Sequence, residues 1–300
     1  MKKISEIRER LNNIEKITIA VPAAHDDAVL LACAHAAREE IIFPVLIGDK
    51  EKIECIMKEE SIEPFECEII NEPDNKIAVG KAISLVREKK ASIVMKGLVG
   101  TADFLKGILN KQTGLKIDGL LSHVCVFEHE RYDRLLFLSD GAMNITPDCQ
   151  EKIKIINNAV KVAKALDIET PKVALLSAVE TVSFKMQSAV DAAIISKMSD
   201  RKQIKDCIVD GPLALDNAVS MESAKHKGIE SKVAGQADIL IVSEIEGGNI
   251  LYKTLVYFSK VKIGAVISGA SVPIVLTSRS DSEETKFNSI MLAAYLSQKN

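Results

Sequence analysis

Four turns rich in glycine, serine and threonine hold the residues whose types and spacing could do chemistry. Each turn follows a short apolar run and precedes a helical pattern, so its backbone N–H groups can point at an anion. Residues of these types also cap helices, so capping and anion binding both remain open at each turn. The first turn contains Gly97, with Thr101 as a candidate N-cap and Lys106 one turn inside the helix that follows. The second contains Asp210. Gly248 and Asn249 of the third open a helix that carries Lys253, and the fourth contains Ser278, Arg279 and Asp281.

The cations in these turns indicate ligands that carry phosphate. Lys106, Lys253 and Arg279 each accompany a turn that is rich in glycine or hydroxyl groups. A guanidinium can hold two phosphate oxygens at once, whereas an ammonium acts as a point charge. The whole set favours phosphate binding more strongly than any one turn does.

Several well-known catalytic motifs are missing from the sequence. It contains no GxxxxGK[ST] loop, no GxGxxG after a strand, no GxSxG turn and no HExxH helix, which disfavours the enzymes that use them. The six cysteines form no CxxC pair, and no nearby histidine pair has the helical spacing of a metal site. His25 follows the first strand and could face a cleft, although a surface or capping role is favoured.

The composition limits the class of partner. The formal net charge is −3, the pI is near 6.0 and tryptophan is absent, all of which argue against nucleic-acid binding. No apolar run reaches the roughly 18 residues of a membrane span, so no membrane insertion is predicted. The widely spaced cysteines and a first segment without an apolar signal core predict a reduced, cytoplasmic protein.

Short apolar runs alternate with longer helical patterns along the chain. This alternation predicts an α/β fold with mainly parallel sheets that helices cover on both faces. The predicted strands are 17–21, 43–49, 67–71, 91–97, 123–130, 134–141, 172–178, 207–212, 237–244, 262–269 and 273–279. The predicted helices that follow or separate them are 50–60, 75–90, 149–167, 181–198, 214–225, 248–260 and 282–297, with a further helix after His25.

The number of predicted strands is large for one open sheet, so two α/β domains are predicted. The periodicity breaks between 139 and 148, which we take as a boundary. The segments 123–130 and 134–141 are predicted to form a local antiparallel pair.

Taken in chain order, these segments resemble the phosphate acetyl/butyryltransferase family, and most closely its phosphate butyryltransferase branch. The strongest matches are SDGAMNITP at 139–147, VAGQADILIV at 233–242, EGGNILYK at 246–253 and TSRSDS at 277–282. Weaker matches, such as MKGLVGTADFLKG and DGPLALDNAVS, extend the resemblance over nearly the whole chain.

The resemblance implies a fold and a reaction. It implies two α/β domains, similar to those of isocitrate and isopropylmalate dehydrogenases, with the active site in the interdomain cleft. The first domain would comprise 1–141 and 266–300, and the inserted second domain 142–265. The reaction would move an acyl group directly between coenzyme A and inorganic phosphate within a ternary complex. The thioester of coenzyme A is then a substrate, no cofactor is bound permanently, no metal is needed, and a homo-oligomer is expected.

The resemblance also implies roles for individual residues. Arg279 would bind phosphate, and Ser278 would hydrogen-bond the thioester rather than form an acyl-enzyme. Lys106 stands where the acetyltransferase branch has an arginine, and could contact phosphate as a point charge. Substrate contacts are also expected of Gly97, Thr101, Asn144, Asp210, Gly248, Asn249 and Lys253.

The general base departs from the family pattern. The acetyltransferase branch has an aspartate seven positions after the serine, where this chain has Thr285. Asp281 and Glu284 are the local candidates, and an N-cap is the alternative role of Asp281.

The departures favour the butyryl branch, but acetyl or branched acyl preference remains an alternative. A non-catalytic sensor of coenzyme A or phosphate is the alternative from another class. An oxidative decarboxylase is a third alternative, but it would need a metal-binding cluster of carboxylates, and this sequence shows no convincing candidate for one.

Overall fold

The computed structural model of the protein describes residues 1–12, 14–278 and 281–299. The strands are β1 (Ile17–Pro22), β2 (Ile42–Gly48), β3 (Glu68–Asn71), β4 (Ile93–Met95), β5 (Ile117–His129), β6 (Leu136–Ser139), β7 (Lys172–Leu176), β8 (Ile208–Leu213), β9 (Ile239–Ile241), β10 (Val261–Ala270) and β11 (Ile274–Val275). The helices are α1 (Ser5–Leu11), α2 (Asp27–Arg38), α3 (Lys50–Glu59), α4 (Asn75–Arg87), α5 (Thr101–Ile108), α6 (Cys149–Ala165), α7 (Gln187–Asp200), α8 (Leu215–Val219), α9 (Met221–His226), α10 (Ile245–Phe258) and α11 (Glu283–Ser297). No helix in these ranges combines the length and apolarity needed to cross a bilayer.

The chain forms two compact units. The flanking unit comprises Ile4–Asp118 and Ile263–Asn300, and the inserted unit comprises Met1–Lys3 and Gly119–Lys262. The sequence predicted the inserted domain to begin at 142, whereas the structure groups β5 and β6 with it. The reason is that β6 pairs with both β5 and β9, and all three strands belong to the sheet of the inserted unit.

The flanking unit is built on a mainly parallel sheet with the strand order β3-β2-β1-β4-β11-β10. β1 pairs in parallel with β2 and β4, and β4 pairs in parallel with β11. Only the pairing of β10 with β11 is antiparallel among these described strands. Parallel strands leave the sheet at the same edge, so the turns after β1, β4 and β11 emerge together.

The strands of the inserted unit follow one another in the order β5-β6-β9-β7-β8. β9 lies between β6 and β7 and is parallel to both, and β8 is parallel to β7. β5 and β6 pair in antiparallel fashion, as the sequence predicted for the segments 123–130 and 134–141. The α/β class with mainly parallel sheets and flanking helices is therefore confirmed.

Small and apolar residues explain how the helices of the flanking unit pack. α11 is buried along nearly its whole length, from Lys286 to Leu296, so it is a central helix of this unit. Alternate alanines of α2 are completely buried, which lets its neighbours approach closely. The ring of His35 in α2 stacks on that of Phe287 in α11 at a centroid distance of 4.0 Å. Asp26 caps α2 by accepting a hydrogen bond from the N–H of Val29 at 3.0 Å.

Two predicted helices differ from the structure, and one helix was missed. The helix predicted at 214–225 is split into α8 and α9, because Ser220 is extended and its hydroxyl caps α9 by accepting from the N–H of Ser223. The helix predicted at 181–198 begins only at Gln187, and the preceding side chain of Phe184 is almost fully exposed. The short helix α1 was not predicted.

Candidate active site

The first and fourth predicted turns lie next to each other in the flanking unit. The N–H of Lys96, just after β4, donates to the carbonyl oxygen of Val275 in β11 at 2.9 Å. On the other side of β4, the N–H of Gly97 donates to the carbonyl oxygen of Pro22, at the end of β1, at 3.1 Å. The structure therefore brings the Gly97 turn and the Ser278 turn to one edge of a parallel sheet, where ligands of α/β folds usually bind.

Gly97 is required by a close approach of two backbones. A Cβ atom at this position would lie 2.3 Å from the carbonyl oxygen of Ala23 and 2.5 Å from that of Pro22. No side chain can occupy that space, because both obstacles are backbone atoms. The glycine thus lets the turn after β4 pack directly on the end of β1.

Lys96 is a buried cation in this turn that the sequence analysis missed. The residue is 6% exposed, and its ammonium donates to the carbonyl oxygens of Gly97 at 3.0 Å and of Val99 at 3.2 Å. Two carbonyls partly replace the water that burial removes from the charge. The signal in the sequence is a lysine that ends an apolar strand immediately before a glycine.

Thr101 and Lys106 are both exposed residues of α5. Gly100, rather than Thr101, is the N-cap residue of this helix, so the capping role considered for Thr101 is wrong. Lys106 lies in the last turn of α5, at the far end of the helix from the Gly97 turn. Contacts of Thr101 and Lys106 with substrate stay predictions.

The turn that carries Ser278 is closed by internal hydrogen bonds. The N–H of Ser278 donates to Oδ2 of Asp281 at 2.7 Å, and Asp281 is only 6% exposed. The N-cap of α11 is Ser282, whose hydroxyl accepts from the N–H of Thr285, so Asp281 is not the cap. Arg279 lies outside the described residues. The role of Asp281 as a base stays a prediction.

His25 lies at the same edge of the sheet, at the end of β1. Its side chain is half-buried, and within the described residues its buried Nδ1 atom makes no hydrogen bond. Burial lowers the pKa of His25, and the positive charge of Lys52 lowers it further. The neutral imidazole is therefore favoured at this position, and Asp26 rather than His25 caps α2.

In the inserted unit, Asp140 organises the turn that follows β6. Its buried carboxylate accepts from the N–H groups of Ala142 at 2.9 Å, Met143 at 3.0 Å and Asn144 at 3.2 Å. The side-chain amide of Asn144 donates to the same carboxylate at 2.5 Å and to the carbonyl oxygen of Leu121 at 2.9 Å. Both amide hydrogens of Asn144 therefore hold the turn, which is a structural role beside the predicted substrate contact.

The first residues of α10 pack on this turn. A Cβ atom at Gly248 would lie 2.7 Å from the carbonyl oxygen of Asp140, and Asn249 Nδ2 donates to the carbonyl oxygen of Gly141 at 3.2 Å. The ammonium of Lys253 lies 5.6 Å from the ring centre of Tyr252, within the range of a cation–π interaction. Gly248 and Asn249 lie inside α10, which begins at Ile245 rather than at the predicted 248. The Asn144 turn and the start of α10 are thus brought together, as their positions after β6 and β9 require.

Asp210 lies inside a strand rather than in a turn. The sequence predicted a strand over 207–212, which already includes Asp210, and β8 runs from Ile208 to Leu213. Its Oδ1 atom accepts from the N–H of Gly211 at 2.8 Å, and its Oδ2 atom accepts from the hydroxyl of Ser231. β7 separates β8 from β9, so the structure does not group Asp210 with the Gly248 turn.

A cavity of about 820 Å³ in the inserted unit contains a buried ion pair that the sequence analysis missed. The ammonium of Lys152 donates to Oδ2 of Asp191 at 2.6 Å, and both residues are almost fully buried. Gln187 Nε2 donates to Oδ1 of Asp191 at 2.7 Å, and the thiol of Cys149 does so at 3.2 Å. The cavity lies where β7 and β9 end and α6 and α7 begin, so it is open to a ligand.

Burial governs the ionisation of this cluster. It raises the pKa of the Cys149 thiol to about 11, with a contribution from the hydrogen bond to Asp191, so the thiol is protonated and a poor nucleophile. Burial alone would raise the pKa of Asp191, but the hydrogen bonds from Lys152, Gln187 and Cys149 outweigh it and the pKa is lowered. Within the described part of the chain, no cluster of three or more His, Cys, Asp or Glu side chains could hold a metal ion.

Comparison with known proteins identifies relatives over the full length. A family model described as phosphate acetyl/butaryl transferase matches residues 74–294. A phosphate butyryltransferase from Clostridium acetobutylicum is 51% identical over 98% of both chains, and a phosphate acetyltransferase from Thermotoga maritima is 47% identical over 92% of this chain and 94% of its own. The crystal structure of a branched-chain phosphotransacylase from Enterococcus faecalis is 35% identical and superposes with a TM-score of 0.84, covering 94% of this chain and 99% of its own.

We expect Gly97→Ala to destabilise the protein by about 3 kcal/mol or more, because the new methyl group must displace two backbone carbonyls. The matched control is Gly100→Ala in the same turn, where a Cβ atom would meet no atom within 4 Å. Urea unfolding followed by circular dichroism measures the free energy of unfolding of both variants. A Gly97→Ala protein that is as stable as Gly100→Ala would contradict the close approach.

We expect Asp191→Asn to lower the free energy of unfolding by about 3 kcal/mol at pH 7, because it leaves the ammonium of Lys152 buried without its counter-charge. The difference from the wild type shrinks as the pH falls through the lowered pKa of Asp191, since a protonated Asp191 no longer stabilises the fold. Asp200→Asn is the control, because its ion pair with Lys197 on the same helix is exposed. Urea unfolding at pH 7 and at a pH well below 3.8, the ordinary pKa of an aspartate, tests this. Equal losses of stability for both variants would count against it.

Proposed function

Because the chain belongs to the phosphate acetyl/butyryl transferase family, we propose that it transfers an acyl group reversibly between butyryl-CoA and inorganic phosphate, giving butyryl phosphate and coenzyme A. The observation that carries this proposal is the 51% identity to a phosphate butyryltransferase over 98% of both chains. Coenzyme A and phosphate are substrates here, and no permanently bound cofactor is proposed.

The chemistry needs hydrogen-bond donors and cations more than it needs a nucleophilic side chain. A phosphate oxygen attacks the carbonyl carbon of the thioester, the new C–O bond forms, the C–S bond breaks, and the thiolate of coenzyme A takes up a proton. Negative charge develops on the carbonyl oxygen, where directed N–H groups and cations stabilise it most. The transfer is proposed to be direct, within a ternary complex of the protein with both substrates.

The proposed roles centre on the Ser278 turn. Ser278 hydrogen-bonds the thioester and Arg279 binds the phosphate. The N–H groups of the Gly97 turn at the same sheet edge donate to backbone carbonyl oxygens of the protein, so a substrate contact at Gly97 stays a prediction. The contact between Asp281 and the N–H of Ser278 supports a part for Asp281 in closing the turn. Substrate contacts by Lys106, Thr101, Asn144, Gly248, Asn249, Lys253 and Asp210 stay predictions.

Several finer expectations remain proposals of the same kind. These are the likeness to the isocitrate and isopropylmalate dehydrogenase fold, the site in a cleft, the homo-oligomer and the cytoplasmic location. The exposed apolar side chains of Ile250, Tyr257 and Phe258 on α10 support association between copies of the chain.

Two alternatives follow from specific relatives and from the site. The acetyltransferase at 47% identity and the branched-chain phosphotransacylase at 35% identity motivate acetyl or branched acyl preference. One methylene in an apolar pocket changes selectivity by only ~10–200-fold, so the family alone leaves chain length open. A sensor that binds coenzyme A without turnover is the alternative from another class.

We expect butyryl-CoA to give the highest kcat/KM when thiol release is followed with acetyl-, butyryl- and isobutyryl-CoA in the presence of phosphate. Faster turnover of acetyl-CoA or isobutyryl-CoA would refute the butyryl assignment. Tight binding of coenzyme A by calorimetry without any phosphate-dependent thiol release would support the sensor instead.

We expect Arg279→Lys to raise the KM for phosphate roughly tenfold, because a lysine ammonium cannot make the bidentate hydrogen bonds of a guanidinium to phosphate. The control is Arg201→Lys, which changes an exposed arginine just after α7. An unchanged phosphate KM and kcat in Arg279→Lys would remove this residue from the phosphate site.

A further inference from the structure

Lys286 is a buried cation in the first turns of α11, directly after the turn that carries Ser278. The residue is only 2% exposed, although α11 begins just before it at Glu283. Its ammonium donates to the backbone carbonyl oxygen of Ser278 at 3.1 Å and to that of Asp281 at 2.6 Å. Helical side chains lean toward the N-terminus of their helix, which aims this ammonium back at the turn.

The same turn is also closed from within. The N–H of Ser278 donates to the side chain of Asp281 at 2.7 Å, and the N–H of Asp281 donates to the carbonyl oxygen of Ser278 at 3.2 Å. Both ends of the turn are therefore tied to each other and to one ammonium. We call this arrangement the Lys286 clamp.

A lysine is an unfavourable choice for this position, which indicates a specific use. The N-terminus of a helix carries partial positive charge, so a second positive charge there is destabilising. Burial lowers the pKa of Lys286, and the carboxylates of Asp281, Asp26 and Asp27 oppose that shift. An apolar side chain of the same length would fill the space without a buried charge. What it could not do is bind two carbonyl oxygens of the turn.

We infer that Lys286 is a positioning residue for acyl transfer, whose clamp on the two ends of the turn sets where the Ser278 hydroxyl meets the substrates. This inference rests on the proposed function. Lys286 acts through the turn: its ammonium is directed at the carbonyl oxygens of Ser278 and Asp281. A misplacement of about 1 Å at a reacting group can cost ~100-fold in rate, so loosening the turn is costly even though the hydroxyl itself is retained.

The test is Lys286→Met, which removes the ammonium and keeps an unbranched side chain that reaches nearly as far. We expect kcat for butyryl-CoA and phosphate to fall ~10–100-fold with little change in the KM for butyryl-CoA. In a Ser278→Ala background, the same replacement is expected to lower kcat less than about threefold, because the hydroxyl that the clamp positions is already gone.

Ser289→Ala is the matched control on the same helix. The hydroxyl of Ser289 accepts from the N–H of Ala265 at 2.9 Å and donates to the carbonyl oxygen of Thr285 at 2.7 Å, and it is fully buried. We expect this variant to unfold at lower denaturant concentration but to keep the kcat of the wild type. If Lys286→Met does not fold, Lys286→Gln retains one donor group and is measured in its place.

A second measurement does not need turnover. Residue-resolved hydrogen exchange at the Ser278 amide, which donates to Asp281, is expected to speed up at least tenfold in the Lys286 variant and to stay unchanged in Ser289→Ala.

The clamp is overturned if kcat is unchanged, if Lys286→Met costs the same factor with and without the Ser278 hydroxyl, or if exchange at the Ser278 amide is unaffected. A wild-type protein that turns over no acyl-CoA contradicts the proposed function instead. In that case the exchange measurement still decides whether the clamp orders the turn.

Discussion

The parallel pairing of β4 with β1 on one side and with β11 on the other is the constraint on which the flanking-unit site depends. In this register Val94 stands opposite both Ala20 and Ile274, so three strands that are distant in sequence end at one edge. The turn after each strand then lies beside the other two. Gly97 is needed because of this pairing, since the turn after β4 passes directly over the carbonyl groups at the end of β1.

Buried lysines hold this architecture in two chemically different ways. Lys96 and Lys286 donate to backbone carbonyl oxygens and thereby tie down turns at the sheet edge. Lys152 instead forms an ion pair with Asp191 between α6 and α7. Carbonyl oxygens accept hydrogen bonds from these ammonium groups, so the first arrangement orders a turn, and the carboxylates of Asp281, Asp26 and Asp27 stabilise the charge of Lys286. The second neutralises its charge and serves the packing of two helices.

Local patterns predicted the elements well where one interaction dominates, and poorly where distant groups compete. Buried β-branched runs such as β1 and β2 were predicted nearly to the residue, because burial on both faces leaves a continuous apolar signal. The break at Ser220 was missed, since the hydroxyl of this residue caps a new helix in the middle of a helical pattern. Asp210 was grouped with the turn residues because glycine and proline follow it, but it lies inside the strand that was predicted over 207–212 and that pairs with β7.

The sequence by itself determined the α/β class and the set of glycine- and hydroxyl-rich turns, because these depend on residue type and short-range spacing, and its resemblance to known motifs indicated the family. Only the tertiary structure decided which turns meet, that Asp281 accepts from the Ser278 amide, and that Lys96 and Lys286 are buried rather than exposed. Such features depend on backbone groups of distant segments, whose hydrogen-bonding capacity is the same at almost every residue and therefore leaves no mark in the sequence.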